Sequence, residues 1–357
     1  MSCPRLEINC AKVYHNAHTL IHQLSTKSIA VTPVTKVCLA HPAIVQALID
    51  AGATMIADSR VENIEYIRQA GITLPTMLIR SPMLSQVSSV LKHCTISLNT
   101  EISVIQQLSK VASQLNIRHG VVIMVELGDL REGVMPDDLI AFIRKIIHLP
   151  NIILKGIGTN LTCRYGVAAD DSKMSQLSDL ADDIERIFDI KLDIVSGGNS
   201  ANVNWALNNR TKTRINNLRL GEAIFLGCET RHQQTIDGLF TDAFTLIAEV
   251  IESNTKPSLP WGDLGLNAFG EKQHVLDRGH VSQAILAIGR QDVCTLGLKP
   301  PLGMKIVAST SDHLVVETSG LPLTVGQEIK FQLNYSALLS SMSSPFIHQT
   351  LVENKHE

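Results

Sequence analysis

A chain of 357 residues with 45% hydrophobic residues is long enough to bury two good cores. Its formal charge of -3, with no block of like charge, gives no basic surplus for nucleic acid or an anionic membrane. Seven cysteines, an odd number without a Cys-x-x-Cys pair or a Cys/His cluster, point to the reduced thiols of a cytoplasmic enzyme rather than to a disulfide frame or a metal site. Neither a signal peptide nor an apolar run of membrane-spanning length is expected.

In chain order, apolar runs of strand length alternate with longer segments of helical period, the pattern of an α/β protein. Strands are predicted at 30–36, 54–57, 76–80, 95–98, 120–126, 151–159, 192–196 and 217–221. Helices are predicted at 42–51, 62–70, 84–93, 101–115, 136–148 and 171–188. Asp137-Asp138 directly after Pro136 is a favourable helix opening, and Asn99-Thr100 is expected to cap the helix from Glu101. Eight strands make residues 10–232 a (β/α)8 TIM-like barrel. Past about residue 232 the helical period fades. Short β-branched runs at 244–251, 281–288, 304–308, 314–317 and 328–333, parted by Gly, Pro and Ser turns, predict a smaller all-β domain over 233–350. Residues 5–9 are assigned to it as an edge strand. The tail after about Leu351, ending in Glu353-Asn354-Lys355-His356-Glu357, is expected to fray.

Two segments near the end of the barrel carry the first chemical signal. Ser196-Gly197-Gly198-Asn199-Ser200 follows the seventh strand, and Leu218-Arg219-Leu220-Gly221-Glu222 closes the eighth. Consecutive glycines let the backbone approach an anion, and unpaired N–H groups at a turn or helix start point at it. In this barrel the loops after strands seven and eight are where a phosphate usually sits. Taken alone, the glycine segment reads equally well as a tight turn before a helix, and a substrate phosphate is as open as a cofactor one. Lys36 closes the first strand in Val34-Thr35-Lys36-Val37, so its amine should project at the same barrel mouth from an apolar stem. That setting suits a Schiff-base lysine, because a partly dry site eases deprotonation and the neutral amine is the nucleophile. A solvated lysine at a strand end is the commoner fate of such a residue.

With these residues in place, the chain resembles the pyridoxal 5'-phosphate enzymes of the alanine-racemase fold, and within them the ornithine racemase group, nearly end to end. The carriers are Val34 to Val37, the segment Val125-Glu126-Leu127-Gly128-Asp129-Leu130-Arg131-Glu132-Gly133, and Gly158-Thr159-Asn160-Leu161-Thr162. They continue with Ser196 to Asn199, Leu218 to Glu222, Ala287-Ile288-Gly289-Arg290-Gln291-Asp292-Val293 and Ser311-Asp312-His313-Leu314. The resemblance implies that Lys36 carries the cofactor and serves as base on one face of the substrate α-carbon. Asn160, Ser196, Asn199, Ser200 and Tyr335, with the backbone around Gly197, Gly198, Gly221 and Glu222, would hold the cofactor. Arg219 would face the pyridine nitrogen, and because a guanidinium cannot accept a proton, the ring stays a modest electron sink that favours racemisation. Arg131 would bond the cofactor phenolic oxygen or the substrate carboxylate. The resemblance also implies a homodimer with shared active sites.

The chain departs from the alanine racemases at two positions. Arg290 stands where they carry the tyrosine base of the second face, and Asn160 where they carry a histidine. Arg290 stays protonated at ordinary pH, so a carboxylate-binding role suits it better than a base role. Cys294, Asp292, His313 and Tyr335 are the candidates for the second base, each with a bland core or loop role as the simpler alternative. Asp312, with Asp292, is expected to pair with a cationic side chain, which makes ornithine or a similar basic amino acid the expected substrate. A non-catalytic carrier of pyridoxal phosphate is a second reading, opposed by the β-domain. A decarboxylase of the same fold group is a third, opposed by Arg219 unless Glu222 reaches the pyridine nitrogen.

Overall fold

The computed structural model describes residues 3–209, 211, 213–272, 275–318 and 323–352. Contacts divide the chain into two units, one running from Cys10 to Thr241 and the other joining the chain up to Asn9 with the chain from Asp242. The boundary lies later than the change of sequence texture at residue 232. A β-bridge between Cys228 and Thr235, and the paired hydrogen bonds of the Asn16 side chain with the Phe240 backbone, keep those intervening residues in the first unit.

The chain begins with β1 (Arg5–Ile8), which belongs to the second unit, and enters the first with α1 (Cys10–Ser25). There follow β2 (Ala30–Pro33), α2 (Pro42–Asp50), β3 (Ile56–Asp58), α3 (Val61–Gln69), β4 (Thr76–Leu78), α4 (Val87–His93), β5 (Ile96–Asn99) and α5 (Ile102–Leu115). The unit continues with β6 (His119–Met124), α6 (Leu139–Ile146), β7 (Ile152–Gly158), α7 (Asp171–Phe188), β8 (Ile194–Ser196), α8 (Val203–Asn208), β9 (Asn217–Leu220) and α9 (Glu222–Leu226). The eight strands run parallel in the order β2-β9-β8-β7-β6-β5-β4-β3. A bridge from Val34 to Ala57, with Thr35 N–H donating to Ala57 O at 2.8 Å, joins the two ends of that series. The result is the expected (β/α)8 barrel.

Alternation along the strands separates its two apolar layers. In β6, Val121 and Ile123 pack outward with the helices, whereas Val122 and Met124 join Val34, Ala57, Met77 and Leu98 in the interior. Such strands are covered on both faces, which is why β6 is buried throughout and reads as an unbroken apolar run. In β9 the inward positions are polar, Asn217 and Arg219, and the fully buried Leu218 and Leu220 alternate with them. The helix starts follow local chemistry in α2, with Pro42 at its first position, and in α7, where the Asp170 side chain accepts the Lys173 N–H at 2.9 Å. Asn99 does not cap α5 as expected. Its amide turns back to Ser97 O at 2.8 Å, and Glu101 takes the cap position without a side-chain bond.

The second unit holds β10 (Phe244–Pro257), β11 (His280–Leu286), β12 (Leu298–Lys299), β13 (Met304–Ser309), β14 (Leu314–Thr318), β15 (Glu328–Leu333), α10 (Tyr335–Ser343) and β16 (His348–Leu351). Its main sheet follows the order β12-β15-β10-β11-β14-β13, every pair antiparallel. A bulge between Val250 and Glu252 bends β10, so its first half meets β1 and β15 and its second half meets β11. Two expectations change here. β1 is not an edge strand, because β16 lies parallel along its free side. The unit also carries a helix, α10, started by the Asn334 side chain accepting the Ala337 N–H at 3.0 Å and buried through Leu338 and Met342, one turn apart. The tail 353–357 lies outside the described residues.

Candidate active site

Lys36 lies beyond β2 and not at the end of a strand reaching to it. Pro33 ends the ladder, Thr35 leaves the extended region at φ -90° and ψ 1°, and Lys36 opens a single 3-10 turn, Lys36–Cys38. The half-buried lysine thus stands at the C-terminal mouth of the barrel. Beside it, the Thr35 hydroxyl donates to Asp58 Oδ2 at 2.7 Å, a fully buried carboxylate at the end of β3. Sequence reading missed this pair.

Next to β2, the adjacent strands β9 and β8 carry a polar string inside the barrel. Asn217 donates to the Thr32 hydroxyl at 2.9 Å, and the Ser196 hydroxyl donates to Asn217 Oδ1 at 2.6 Å. Ser196 Oγ also accepts from Arg219 Nη1, whose Nη2 donates to Thr159 O at 2.7 Å. Arg219 is only 4% exposed, and among the described residues no carboxylate pairs with it. Burial lowers its pKa to about 10, which still leaves it protonated at neutral pH. The alternation Asn217-Leu218-Arg219-Leu220 was the signal that could have placed Asn217 beside Arg219.

The glycine segment is more specialised than its sequence shows. Gly197 cannot offer its N–H to an anion, because that group donates to Asn217 O at 3.0 Å. Gly198 has φ +142°, and a Cβ there would lie 2.4 Å from Asn202 Oδ1, so only glycine fits. Asn199 and Asn202 cap the following turn reciprocally. Ser200 Oγ accepts the Ala223 N–H at 3.1 Å and thereby ties this loop to the start of α9 behind Gly221. Glu222 turns away to accept from Gln233 Nε2 at 3.0 Å. Asn160, after β7, accepts from the Asn199 amide at 3.1 Å, while its own Nδ2 is buried without a hydrogen-bond partner.

Arg131 lies in the loop after β6. Glu126 Oε1 accepts the Leu130 N–H at 2.9 Å, and Asp129, with no exposure, accepts the N–H groups of Arg164 at 2.8 Å and Tyr165 at 3.0 Å. The loops after β6 and β7 are therefore held to one another. Arg131 pairs with its neighbour Glu132, which raises the guanidinium pKa further.

Arg290, Asp312 and Tyr335 belong to the second unit. Asp292, Asp312, His313, Gln291, Ile251 and Phe346 face a cleft there of about 370 Å³. Asp312 Oδ1 is 3.0 Å from His313 Nδ1, and Asp292 Oδ2 accepts the Gly289 N–H at 3.2 Å. Arg290 does not face this cleft, and the Cys294 N–H donates to Ser340 Oγ at 2.8 Å. Tyr335 opens α10.

Residues 8–228 match the family described as alanine racemase, N-terminal domain. The chain belongs to the alanine racemase family. Over 98% of its length it is 39% identical to ornithine racemase of Acetoanaerobium sticklandii, covering 99% of that protein. It is 34% identical to lysine racemase of Thermotoga maritima over 98% of both chains. Among solved structures it resembles alanine racemase from a D-cycloserine-producing Streptomyces lavendulae, with a TM-score of 0.78 at 16% identity, covering 99% of this chain and 98% of that one. Full-length likeness to two named racemases makes this member of the family an amino-acid racemase.

The site fits the cofactor on which this fold family depends, pyridoxal 5'-phosphate. A buried guanidinium without an anionic partner can donate to a neutral ring nitrogen, and the orphaned Asn160 Nδ2 is a donor awaiting an acceptor. Among the described residues no cluster of His, Cys, Asp or Glu could hold a metal ion, and no helix is long and apolar enough to cross a membrane.

Proposed function

We propose that this protein racemises a basic amino acid, ornithine or lysine, with pyridoxal 5'-phosphate held in the barrel mouth, and that its working unit is a cytoplasmic homodimer. The observation that carries the cofactor and reaction type is Arg219, buried between Ser196 and Thr159 O without a carboxylate. The substrate class rests on the full-length likeness to the ornithine and lysine racemases and on the two aspartates of one cleft.

When bound, pyridoxal phosphate supplies the electron sink that makes the substrate α-proton acidic. Lys36 Nζ holds the cofactor between turnovers and moves the α-proton on one face of the substrate. Arg219 would donate a hydrogen bond to the ring nitrogen and, being a cation with no acceptor, would keep that nitrogen unprotonated. Ser200 and the backbone at Gly198, Gly221 and Glu222 would bind the phosphate, while Asn199 spends its own donors on Asn202, Asn160 and Leu161 O and so shapes the loop. Asn160 Nδ2 donates to the cofactor, and Arg131 exchanges Glu132 for the substrate carboxylate. In the proposed homodimer, Asp292 and Asp312 of one protomer would receive the cationic side chain of the substrate bound by the other.

The deciding experiment is α-proton exchange in deuterated water, followed by NMR, on single-enantiomer amino acids with cofactor-loaded protein, with chiral analysis of each product. Exchange with inversion for ornithine or lysine ahead of alanine is expected. Exchange with retention would leave Lys36 as the sole base, and no exchange on any amino acid would overturn the reading in favour of a non-catalytic carrier.

A further inference from the structure

The turn that presents Lys36 is not one that its residues adopt unaided. Leu39 and Ala40 are both in the left-handed region, at φ 49° and 54°, where a Cβ is disfavoured, and they follow each other directly. Consecutive strained residues persist only where the surroundings over-determine them. Here the constraints converge on Thr35. Its N–H donates to Ala57 O at 2.8 Å, and its carbonyl accepts the N–H groups of Cys38 at 3.0 Å and Ala40 at 3.3 Å. Cys38 Sγ lies 3.1 Å from that same carbonyl. The remaining anchor is the Thr35 hydroxyl, which lies 2.7 Å from Asp58 Oδ2 and, more distantly, 3.2 Å from Ala57 O.

Asp58 is a costly anchor. It is fully buried, it accepts from Arg60 N at 2.9 Å and Asn63 Nδ2 at 3.0 Å through its other oxygen, and among the described residues no cation pairs with it. Burial raises its pKa despite those donors. A buried charge held by neutral donors is weak evidence for stability, since an apolar side chain of similar volume often serves as well. Its placement gives it another use. It closes the barrel between β2 and β3 at the residue before the proposed cofactor lysine.

We infer that Asp58 is a positioning residue, which through the Thr35 hydroxyl fixes the strained turn that presents the Lys36 amine to cofactor and substrate. The inference rests on the assignment of Lys36 in the proposed function. Asp58 touches no reacting atom in this scheme.

The experiment compares Thr35→Val, which keeps shape and removes the donor, with Thr35→Ser, which keeps the donor, and with Asp58→Asn. Each apoenzyme is titrated with pyridoxal phosphate by absorbance, reduced with borohydride and peptide-mapped for modified lysine. Racemisation is then measured per bound cofactor. For Thr35→Val and Asp58→Asn, kcat per bound cofactor is expected to fall on the order of 10- to 100-fold, as for a small misplacement of a catalytic group, with KM little changed. Labelling of Lys36 should fall in parallel, and Thr35→Ser should restore both. A purely structural role would lower the melting temperature and the loaded fraction but leave kcat per bound cofactor at the wild-type value, and that result would overturn the inference. Should Asp58→Asn fail to fold, Thr35→Val carries the same test. Wild-type protein that labels no Lys36 would overturn the proposed function itself, whereas normal wild-type labelling with normal variants would overturn only the role of Asp58.

Discussion

Arg290 and Glu271 form a two-pronged ion pair, Nη1 to Oε1 at 2.9 Å and Nη2 to Oε2 at 3.0 Å, with the guanidinium 4.0 Å from the centre of the Phe269 ring. Arg290, expected from the sequence to stand where the alanine racemases carry a tyrosine, thus meets a carboxylate of its own unit. Arginine's planar fork suits this geometry, and the pair fastens the long connection between β10 and β11 to the turn after β11.

Removing either partner should loosen that connection to the same degree. Hydrogen exchange at residues 267–271 is expected to rise equally in Arg290→Ala and Glu271→Gln, with no further rise in the double variant. The Arg290 hydrogen bonds hold the Glu271 carboxyl down at about 2. The tether is therefore fully present above the usual carboxyl range near 4.5 and is lost as pH falls toward 2. Additive loosening in the double variant would show that the two side chains act separately.

Arg219 sets the reaction type in the proposed scheme. Arg219→Glu places a proton-accepting group at the ring nitrogen and strengthens the electron sink. Racemisation is expected to fall about 100-fold while the 2-oxo acid formed per turnover increases. If chromatography shows the 2-oxo acid unchanged, the account of Arg219 fails.

The cleft of Asp292 and Asp312 should discriminate between substrates. Asp312→Asn and Asp292→Asn are expected to lower kcat/KM for ornithine on the order of tenfold and to affect alanine far less, because only ornithine brings a second ammonium. Asn can still accept the Gly289 N–H in place of Asp292 Oδ2, so the turn survives the change. Equal losses on both amino acids, measured side by side, would remove these residues from substrate recognition.

His119 gives the barrel a pH dependence. It is 1% exposed, with Nε2 at 2.8 Å from Ser97 Oγ, and burial lowers its pKa from 6.5 to about 4. The unfolded chain therefore binds more protons between these values. Its contribution to stability is complete above pH 6.5 and is lost as pH falls to about 4, a change of up to roughly 3 kcal/mol. Denaturant unfolding across this range should show a shallower slope in His119→Gln. An identical slope in the variant would assign the acid sensitivity to other groups.

The sequence by itself determined the barrel and the second domain, and it marked the segments from which the proposed site is built. Period-2 alternation in Asn217 to Leu220, the apolar run of β6 and the glycine pair at 197–198 are local patterns, and a strand or turn must satisfy them wherever it ends up. The asparagine that starts α10 and the leucine and methionine one turn apart are local signals of the same kind, which the all-β expectation for residues 233–350 passed over. Tertiary structure decided what local patterns cannot encode. That Gly197 spends its N–H on Asn217, that Lys36 stands in a strained turn beyond β2, and that Thr35 reaches Asp58 all depend on which strands become neighbours when the sheet closes. Arg290 and Glu271 likewise met only through the folding back of the β10–β11 connection. A side chain's hydrogen-bond partner is fixed by a few tenths of an ångström between distant segments, whereas hydrophobic periodicity is averaged over many residues of one segment.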